Sequence, residues 1–549
     1  MNRVKKGMQI LSRFTRPFFL AAIGALFLTS DSNSQAIYLP TSHEVYWFLK
    51  RMEARELLTN YRDAVKPLSR LEIATHLKAM ENRVDEMTEL ERDEYEFLKG
   101  EFRYEISYLA GDPEPSEIRW HLISTDYEGG VMNLDLIGRF SYSSLYNGYD
   151  RLRDQGVRLY GYAFHDVGYY FNFVDSREVG TGINVGKVNT PDPGIVLTKQ
   201  TSDAIEYNTT EAQLTFHIGA FEFSLEKMQN DWGLARHGNL TFSYKAPSYP
   251  QIKMRVPVTD WLDFTYIHAE LNSSIVDSSR SYHAYSSSLM DIYRPVDHPK
   301  YMAAHMLELT PFKGVDLSLG ESVVYSDRGP LLIYLIPIMF FKSAEHYNGD
   351  KDNIQWFGNL DLNVIPKLNL YFSLFIDELN LDDITKPLQE RNQIGVTAGF
   401  QTYDIPFDNL ELIAEYTRIN PWVYSHKYPE TNFTNNGYVM GNWMGQNADN
   451  LYLDLSYRPK RSLAVGATME VFRKGGMADV AYQYRVPSLP FLYGPLHEER
   501  SFGLHTRYEI VRDGFLDARI RSLTLSDESL NINKEKELEW GVSLRYGLW

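Results

Sequence analysis

The chain has 549 residues, 44% of them hydrophobic and 14% aromatic, with a formal net charge of −17 and no cysteine. That length exceeds one ordinary soluble domain, the apolar content excludes disorder, and the missing cysteines exclude a disulfide scaffold, a thiolate metal site and a cysteine nucleophile. No stretch reaches the roughly 18–20 apolar residues of a spanning helix; the 38 Tyr, 29 Phe and 9 Trp fit the girdles of a transmembrane β-barrel instead.

Residues 1–36 read as an export signal. Arg3, Lys5, Lys6, Arg13 and Arg16 precede an apolar run from Phe18 to Leu28, and Ser34-Gln35-Ala36 supplies a small-residue cleavage site. Removing this segment takes away five positive charges and one negative, so −17 becomes −21. Phosphate polyanions are repelled by such a chain, and no nucleic-acid partner is expected.

Residues 37–112 are expected to form a periplasmic α-helical domain. Val45, Phe48, Leu49 and Met52 share one helical face, as do Ile73, Leu77, Met80 and Val84, with Leu98 and Phe102 further on. Ser69-Arg70-Leu71-Glu72 and Thr88-Glu89-Leu90-Glu91 both have the spacing of a capping box. Lys66-Pro67-Leu68-Ser69-Arg70-Leu71-Glu72 resembles S-layer-homology modules, which makes peptidoglycan contact through this domain an alternative to a plug. The expectation is a unit that folds apart from the rest or lightly against its rim. Gly111-Asp112-Pro113-Glu114-Pro115 then reads as a linker.

From residue 116 to 549 the period changes from 3.6 to 2. Leu368, Leu370, Phe372, Leu374 and Ile376 oppose Asn369, Ser373 and Asp377; Leu451, Leu453, Leu455 and Tyr457 oppose Asp454, Ser456 and Arg458. Leu463, Val465, Ala467, Met469 and Val471 oppose Thr468 and Glu470, and Leu538, Trp540, Val542 and Leu544 oppose Glu537, Glu539, Ser543 and Arg545. A soluble sandwich also alternates. Charges on the polar face and strands recurring over the whole region favour a barrel with a watery lumen, at about 18 strands for this length. The chain ends on the aromatic Trp549, in opposite parity to Trp540 and Tyr546. The apolar run Leu331–Phe341, too short to span as a helix and containing Pro337, is expected to be a strand buried on both faces.

Catalytic motifs of the hydrolase-elbow, zincin, Walker and dinucleotide types are absent. Ser224-Leu225-Glu226-Lys227 sits on an alternating strand, and Asp350-Lys351-Asp352 lacks the glycine and closing glutamate of a calcium loop. No enzyme activity, metal or cofactor is expected. Two stretches do place aromatics beside polar groups: Trp232, Arg236 and His237, and then Arg418, Trp422, Tyr424 and His426 followed by Asn447 and Asp449. Aromatic faces stack on sugar rings while fixed polar groups pair their hydroxyls; girdles and lumenal acid–base braces use the same residue types.

The stretch Asn230-Asp231-Trp232-Gly233 through Arg236-His237-Gly238-Asn239-Leu240 to Ala246-Pro247-Ser248-Tyr249-Pro250 resembles the Wzi-type capsule assembly family. So do His305-Met306-Leu307-Glu308, Gly320-Glu321-Ser322-Val323-Val324-Tyr325 and Tyr334-Leu335-Ile336-Pro337-Ile338-Met339-Phe340-Phe341. Glu415-Tyr416-Thr417-Arg418, Pro421-Trp422-Val423-Tyr424-Ser425-His426 and Asn447-Ala448-Asp449 continue the match in order, although Trp232-Gly233-Leu234-Ala235 departs from the Trp-Gly-Pro-Gly expected there. The resemblance implies an 18-stranded outer-membrane barrel with a small helical bundle at its periplasmic end, which binds and holds capsular or exopolysaccharide at the cell surface without catalysis. Such a barrel also meets outer-membrane lipid and the barrel assembly machinery. A porin-like channel for small solutes is the alternative, and a barrel enzyme with a Ser–His or Asp–His pair on its wall is a third.

Overall fold

The computed structural model describes residues 37–111, 121–127, 130–146, 148–163, 167–285, 291–380 and 391–548. The expected export signal, the linker beyond Gly111 and Trp549 lie outside these residues.

Among the described residues eighteen antiparallel strands close into one barrel. The first nine are β1 (Gly130–Leu145), β2 (Gly148–Ala163), β3 (Val167–Gly180), β4 (Ala204–Ile218), β5 (Phe221–Met228), β6 (Tyr249–Thr259), β7 (Leu262–Val276), β8 (Asp297–Phe312) and β9 (Val315–Ser326). The rest are β10 (Asn353–Ile365), β11 (Leu368–Glu378), β12 (Gln393–Tyr403), β13 (Leu410–Ile419), β14 (Ala448–Lys460), β15 (Leu463–Lys474), β16 (His497–Val511), β17 (Gly514–Asp527) and β18 (Ile532–Tyr546). Each pairs with its neighbour in chain order, and β18 closes on β1 with Leu544 opposite Phe140. Closure leaves no free edge in the wall, which satisfies every strand's backbone as hydrocarbon surroundings require.

The sequence alternation sets the two faces. Leu370, Phe372, Leu451, Leu455, Val465, Met469, Leu538 and Trp540 are exposed on the outside, while Asn369, Ser373 and Thr417 are buried inside. Two-residue turns such as Lys313-Gly314 and Pro366-Lys367 join strands at one end. The left-handed backbone at Gly314 (φ 73°) and Lys367 (φ 66°) is what such tight hairpins demand. Most connections at the other end are long, including 181–203, 229–248, 277–296, 327–352, 420–447 and 475–496.

The helical unit sits at the short-turn end. Its helices are α1 (Glu44–Ala54), α2 (Arg70–Ala79), α3 (Glu89–Glu101) and α4 (Arg103–Tyr108). The expected stripes meet in one core containing Val45, Phe48, Leu49, Met52, Ile73, Leu77, Met80, Leu98 and Phe102. Thr88 and Glu91 form a complete capping box at α3. At α2 the cap is partial: Ser69 accepts from the Glu72 N–H, but the Glu72 carboxylate turns away to Arg255 of β6 at 2.8 Å.

That divergence is part of a larger correction. The unit does not fold apart from the barrel; it is bolted into its mouth. Lys50 of α1 reaches Asp361 of β10 as well as Glu53, and Arg51 pairs with Asp404 at 2.8 Å. Arg62 pairs with Asp263, Arg458 with Glu94 and Arg512 with Glu101, each at 2.8 Å. Lys50, Arg51 and Glu53 are all buried. In the sequence they look like the solvated face of a short helix; in the structure that face meets the barrel wall.

Leu331–Phe341 also differs from expectation. It forms a chain of turns that leads into a short helix, α5 (Phe341–Asn348), rather than a strand. Pro337 fits this, since it has no N–H to offer a ladder.

Candidate functional site

Two long loops fold inward and fill the lumen. Loop 229–248 descends until Trp232 pairs with Val65 of the helical unit and bridges to Phe242. Loop 420–447 lies over it. Trp232, Leu240, Phe242, Phe357, Phe375, Tyr424, Phe433, Met440 and Trp443 form one apolar core inside the barrel. A barrel of this strand number is wide enough for water; here protein occupies that space.

Trp232, Arg236 and His237 serve this plug. Trp232 is fully buried, with its ring edge-on to Phe242 at 5.0 Å. The Arg236 and His237 backbone N–H groups donate to the two oxygens of Glu415 at 2.6 and 3.1 Å, and the Tyr371 hydroxyl donates to the same carboxylate at 2.8 Å. The Arg236 guanidinium lies 6.0 Å from the Tyr371 ring. The His237 ring stacks on Tyr452 at 4.0 Å and meets Glu470 at 2.8 Å. Glu415 thus fixes the loop that carries both side chains.

The second group lies in loop 420–447 and at the ends of the two strands that it joins, β13 and β14. Trp422 and Tyr424 are buried and both adopt left-handed backbone, φ 63° and 72°. Large side chains rarely accept that conformation, and here partners hold them in it. The Trp422 N–H donates to Gln446 Oε1 at 2.7 Å, and its indole stacks on Tyr493 at 5.8 Å. The Tyr424 N–H donates to Asp377 at 2.6 Å, and its hydroxyl donates to the Leu240 carbonyl at 2.7 Å, which ties the two inward loops together. Asn447 spans loop 475–496, donating to the Gly476 and Tyr493 carbonyls and accepting from the Leu492 N–H. Asp449 takes a two-pronged pair from Arg473 at 2.9 and 2.5 Å. Arg418 lies 3.9 Å from the Phe491 ring centre.

His426 is only half-buried. Its Nδ1 meets the Thr431 hydroxyl at 2.6 Å, and burial with Lys427 nearby brings its pKa down to about 4, so the ring is neutral. Beside it comes a residue that the sequence motifs missed: exposed Tyr428, edge-on to His426 at 5.5 Å with the Lys427 ammonium 5.3 Å from its ring. Tyr482 and Tyr484 are likewise exposed, with Arg485 and Arg391 over their rings. Tyr282, Tyr285 and Tyr293 project on a hairpin between β7 and β8. The available signal was tyrosines closely spaced in polar, turn-rich stretches, with Tyr482 and Tyr484 two apart and Tyr282 and Tyr285 three apart.

Two groups among the described residues bring three ligand atoms within 4.8 Å: Glu53, Asp316 and Asp361, and Glu345, His346 and Asp350. Lys50 already pairs with Glu53 and Asp361, and Lys342 with Glu345 and Asp350. Among the described residues, Asp–His pairs of the kind a barrel enzyme needs are present at His121 and Asp135 (2.7 Å), His298 and Asp327 (2.5 Å) and His497 and Asp527 (2.8 Å). The other nitrogen of His497 is taken by Glu499 at 3.0 Å, which leaves the ring no free position to accept a proton from a nucleophile.

A family model described as "Capsule assembly protein Wzi" matches residues 144–518. The chain belongs to the Wzi capsule assembly family. No curated protein matches it. Among solved structures, it is similar to Wzi of Escherichia coli, described as an outer membrane protein involved in group 1 capsule assembly and a carbohydrate-binding β-barrel. The two are 10% identical with a TM-score of 0.57, over 94% of this chain and 100% of that one. OprD of Pseudomonas aeruginosa matches at 11% identity and a TM-score of 0.41, over 76% of this chain and 94% of its own. Membership in the Wzi family, the closed 18-stranded barrel and the helical unit at one end are as the sequence resemblance implied.

Proposed function

We propose that this protein is a non-enzymatic outer-membrane barrel that binds capsular or exopolysaccharide and helps assemble or retain it at the cell surface. Membership in a capsule assembly family carries this reading. On it, residues 1–36 direct export, the helical unit closes the periplasmic end, and the long loops face outward. The described loop end offers tyrosine faces beside cations at Tyr428, Tyr482 and Tyr484, the chemistry that stacks sugar rings and pairs their substituents. Arg418 and His426 flank this surface, while Trp232, Arg236, His237, Trp422, Tyr424, Asn447 and Asp449 hold the loops that present it. A repeating polymer can engage several such weak sites at once, so no deep pocket is required.

The filled lumen disfavours the solute channel, which single-channel conductance of the refolded protein would reveal. The direct test replaces Tyr428, Tyr482 and Tyr484 together with Ala. Their rings are exposed, so assembly is expected to be normal while surface polymer is shed into the medium. Normal retention by an assembled variant would remove these loops from the reading. Failure of the purified wild-type barrel to bind polysaccharide from its own organism would remove the reading itself.

A further inference from the structure

Most long loops of a barrel rise away from the wall or fold into the lumen. The 327–352 connection does neither. On β8, Met302, Ala304 and Met306 belong to the lumenal core, so Ala303, His305 and Leu307 face outward. On β9, Val324 belongs to the same core and Ser322 bonds across the lumenal face to Gln355, so Glu321, Val323 and Tyr325 face outward. Outward positions of a membrane barrel should be apolar. Here His268, His305 and Glu321 occupy them, and the 327–352 segment lies over all three.

The contacts are specific. The Phe341 N–H at the start of α5 donates to Glu321 Oε1 at 2.6 Å, and the Trp356 indole N–H donates to its other oxygen at 3.3 Å. His305 approaches the same carboxylate at 3.4 Å and packs its ring on Phe341 at 4.7 Å. The Tyr266 hydroxyl donates to the Tyr334 carbonyl at 2.6 Å, and the Tyr325 hydroxyl accepts from the Leu331 N–H while meeting His268 at 2.8 Å. Tyr334, Phe341 and Ala344 are buried against Val323, Tyr325 and Ala303 in one small core.

The side chains that point away from the wall are apolar in turn. Leu332 is 81% exposed, Ile338 70% and Phe340 57%, with Ile336 beside them. Leu307 and Leu319, on the bare outer wall of the same two strands, are exposed in the same way. The apolar edge of the segment therefore continues the apolar band of the barrel.

We propose that residues 331–348 form an external flap that lies in the outer leaflet, latched by Glu321 and presenting Leu332, Ile336, Ile338 and Phe340 to lipid acyl chains. Water is the wrong surrounding for four neighbouring exposed apolar side chains. Hydrocarbon is the wrong one for a bare Glu321. The flap resolves both: it seals the ionisable groups and restores an apolar outer surface. This segment is then a lipid contact and takes no part in holding polymer. The inference rests on the membrane-barrel reading above.

The absence of native cysteine makes the test clean. Single variants Leu332→Cys, Ile338→Cys, Phe340→Cys, Leu319→Cys on the bare wall and Tyr285→Cys on the exposed hairpin are reconstituted in phosphatidylcholine vesicles. Each is labelled with a fluorophore, and quenching by acyl-chain nitroxide lipid is read beside alkylation by a charged maleimide. The flap positions are expected to match Leu319→Cys in quenching and to alkylate at least about tenfold more slowly than Tyr285→Cys, because hydrocarbon excludes the charged reagent. Flap positions that label as fast as Tyr285→Cys and escape quenching, while Leu319→Cys is quenched, overturn the flap and leave the barrel in its membrane. Protection without quenching, with disulfide-linked dimers on oxidation, would assign the edge to a second copy and also overturn it. Absence of quenching at Leu319→Cys would sink the membrane reading itself.

Discussion

At its two ends the barrel is closed by opposite chemistries. The helical unit meets the wall through buried ion pairs, with Lys50 between Glu53 and Asp361 and Arg51 between Glu91 and Asp404. The inward loops meet it through rings and amides, with Trp232 against Phe357 and Tyr424 against Phe375. Charge in a buried interface costs desolvation and is repaid only while every partner is in place. Rings and amides repay through area and many separate hydrogen bonds, which fail by degrees. The helical end is therefore the one that a single lost partner should damage most.

The largest expected effect is at Lys50. Lys50→Ala leaves Asp361, Glu53 and Asp63 without their shared cation and should cost about 3–5 kcal/mol, read as the urea midpoint of the barrel in detergent. Lys99→Ala removes an exposed pair with Glu81 and should leave that midpoint where it was. Equal shifts in the two variants would end the distinction between buried and surface charge. At the loop end, Tyr424→Phe keeps the ring but strands the Leu240 carbonyl, for a loss of about 1–3 kcal/mol. A loss as large as that of Lys50→Ala would break the contrast between the ends. Thr88→Ala removes half of the capping box of α3 and should cost about 1 kcal/mol.

The smallest effect is local and depends on pH. Burial holds His426 neutral, with its pKa lowered from 6.5 to about 4. For a base lowered in this way, the unfolded chain takes up the proton first. The stability from neutral His426 is therefore complete above pH 6.5 and lost as the pH falls towards 4. Asp63 at the helical end behaves differently: burial opposes its ionisation, but Lys50, Lys66 and Arg236 hold its carboxyl well below the usual carboxylate range. Its contribution persists until the pH drops below about 4. Acid should loosen amide-exchange protection in loop 420–447 before it breaks the contact of Asp63 with Lys50 of α1. An imidazole NMR titration of His426 centred near 6.5 would contradict this order.

Much of the fold was legible because both periods are local. Residues such as Leu370 and Phe372 announce an apolar wall face within one strand, and Val45, Phe48, Leu49 and Met52 announce a stripe within one helix. The candidate site was less legible. Trp422 and Tyr424 were picked out as ring faces for a ligand, yet their faces are spent on Tyr493 and Phe433, and exposed Tyr428 lies four residues beyond Tyr424. A sequence lists aromatic residues without saying which ones have already found partners. The same blindness applied to Leu331–Phe341, whose apolar character was clear and whose neighbour was not.

The sequence by itself determined the secondary-structure periods, the approximate strand number, the helical unit and the family, since each is written in neighbouring residues or in the order of short motifs. Only the tertiary structure decided that the lumen is filled, that Lys50 and Arg51 face protein instead of water, and that one apolar connection covers the outside of the barrel rather than entering it. Those outcomes depend on pairings such as Val65 with Trp232 and Phe341 with Glu321. Alternation within a strand records which face is apolar; what comes to cover a face is settled between distant segments by the cost of leaving charge or apolar surface in the wrong solvent.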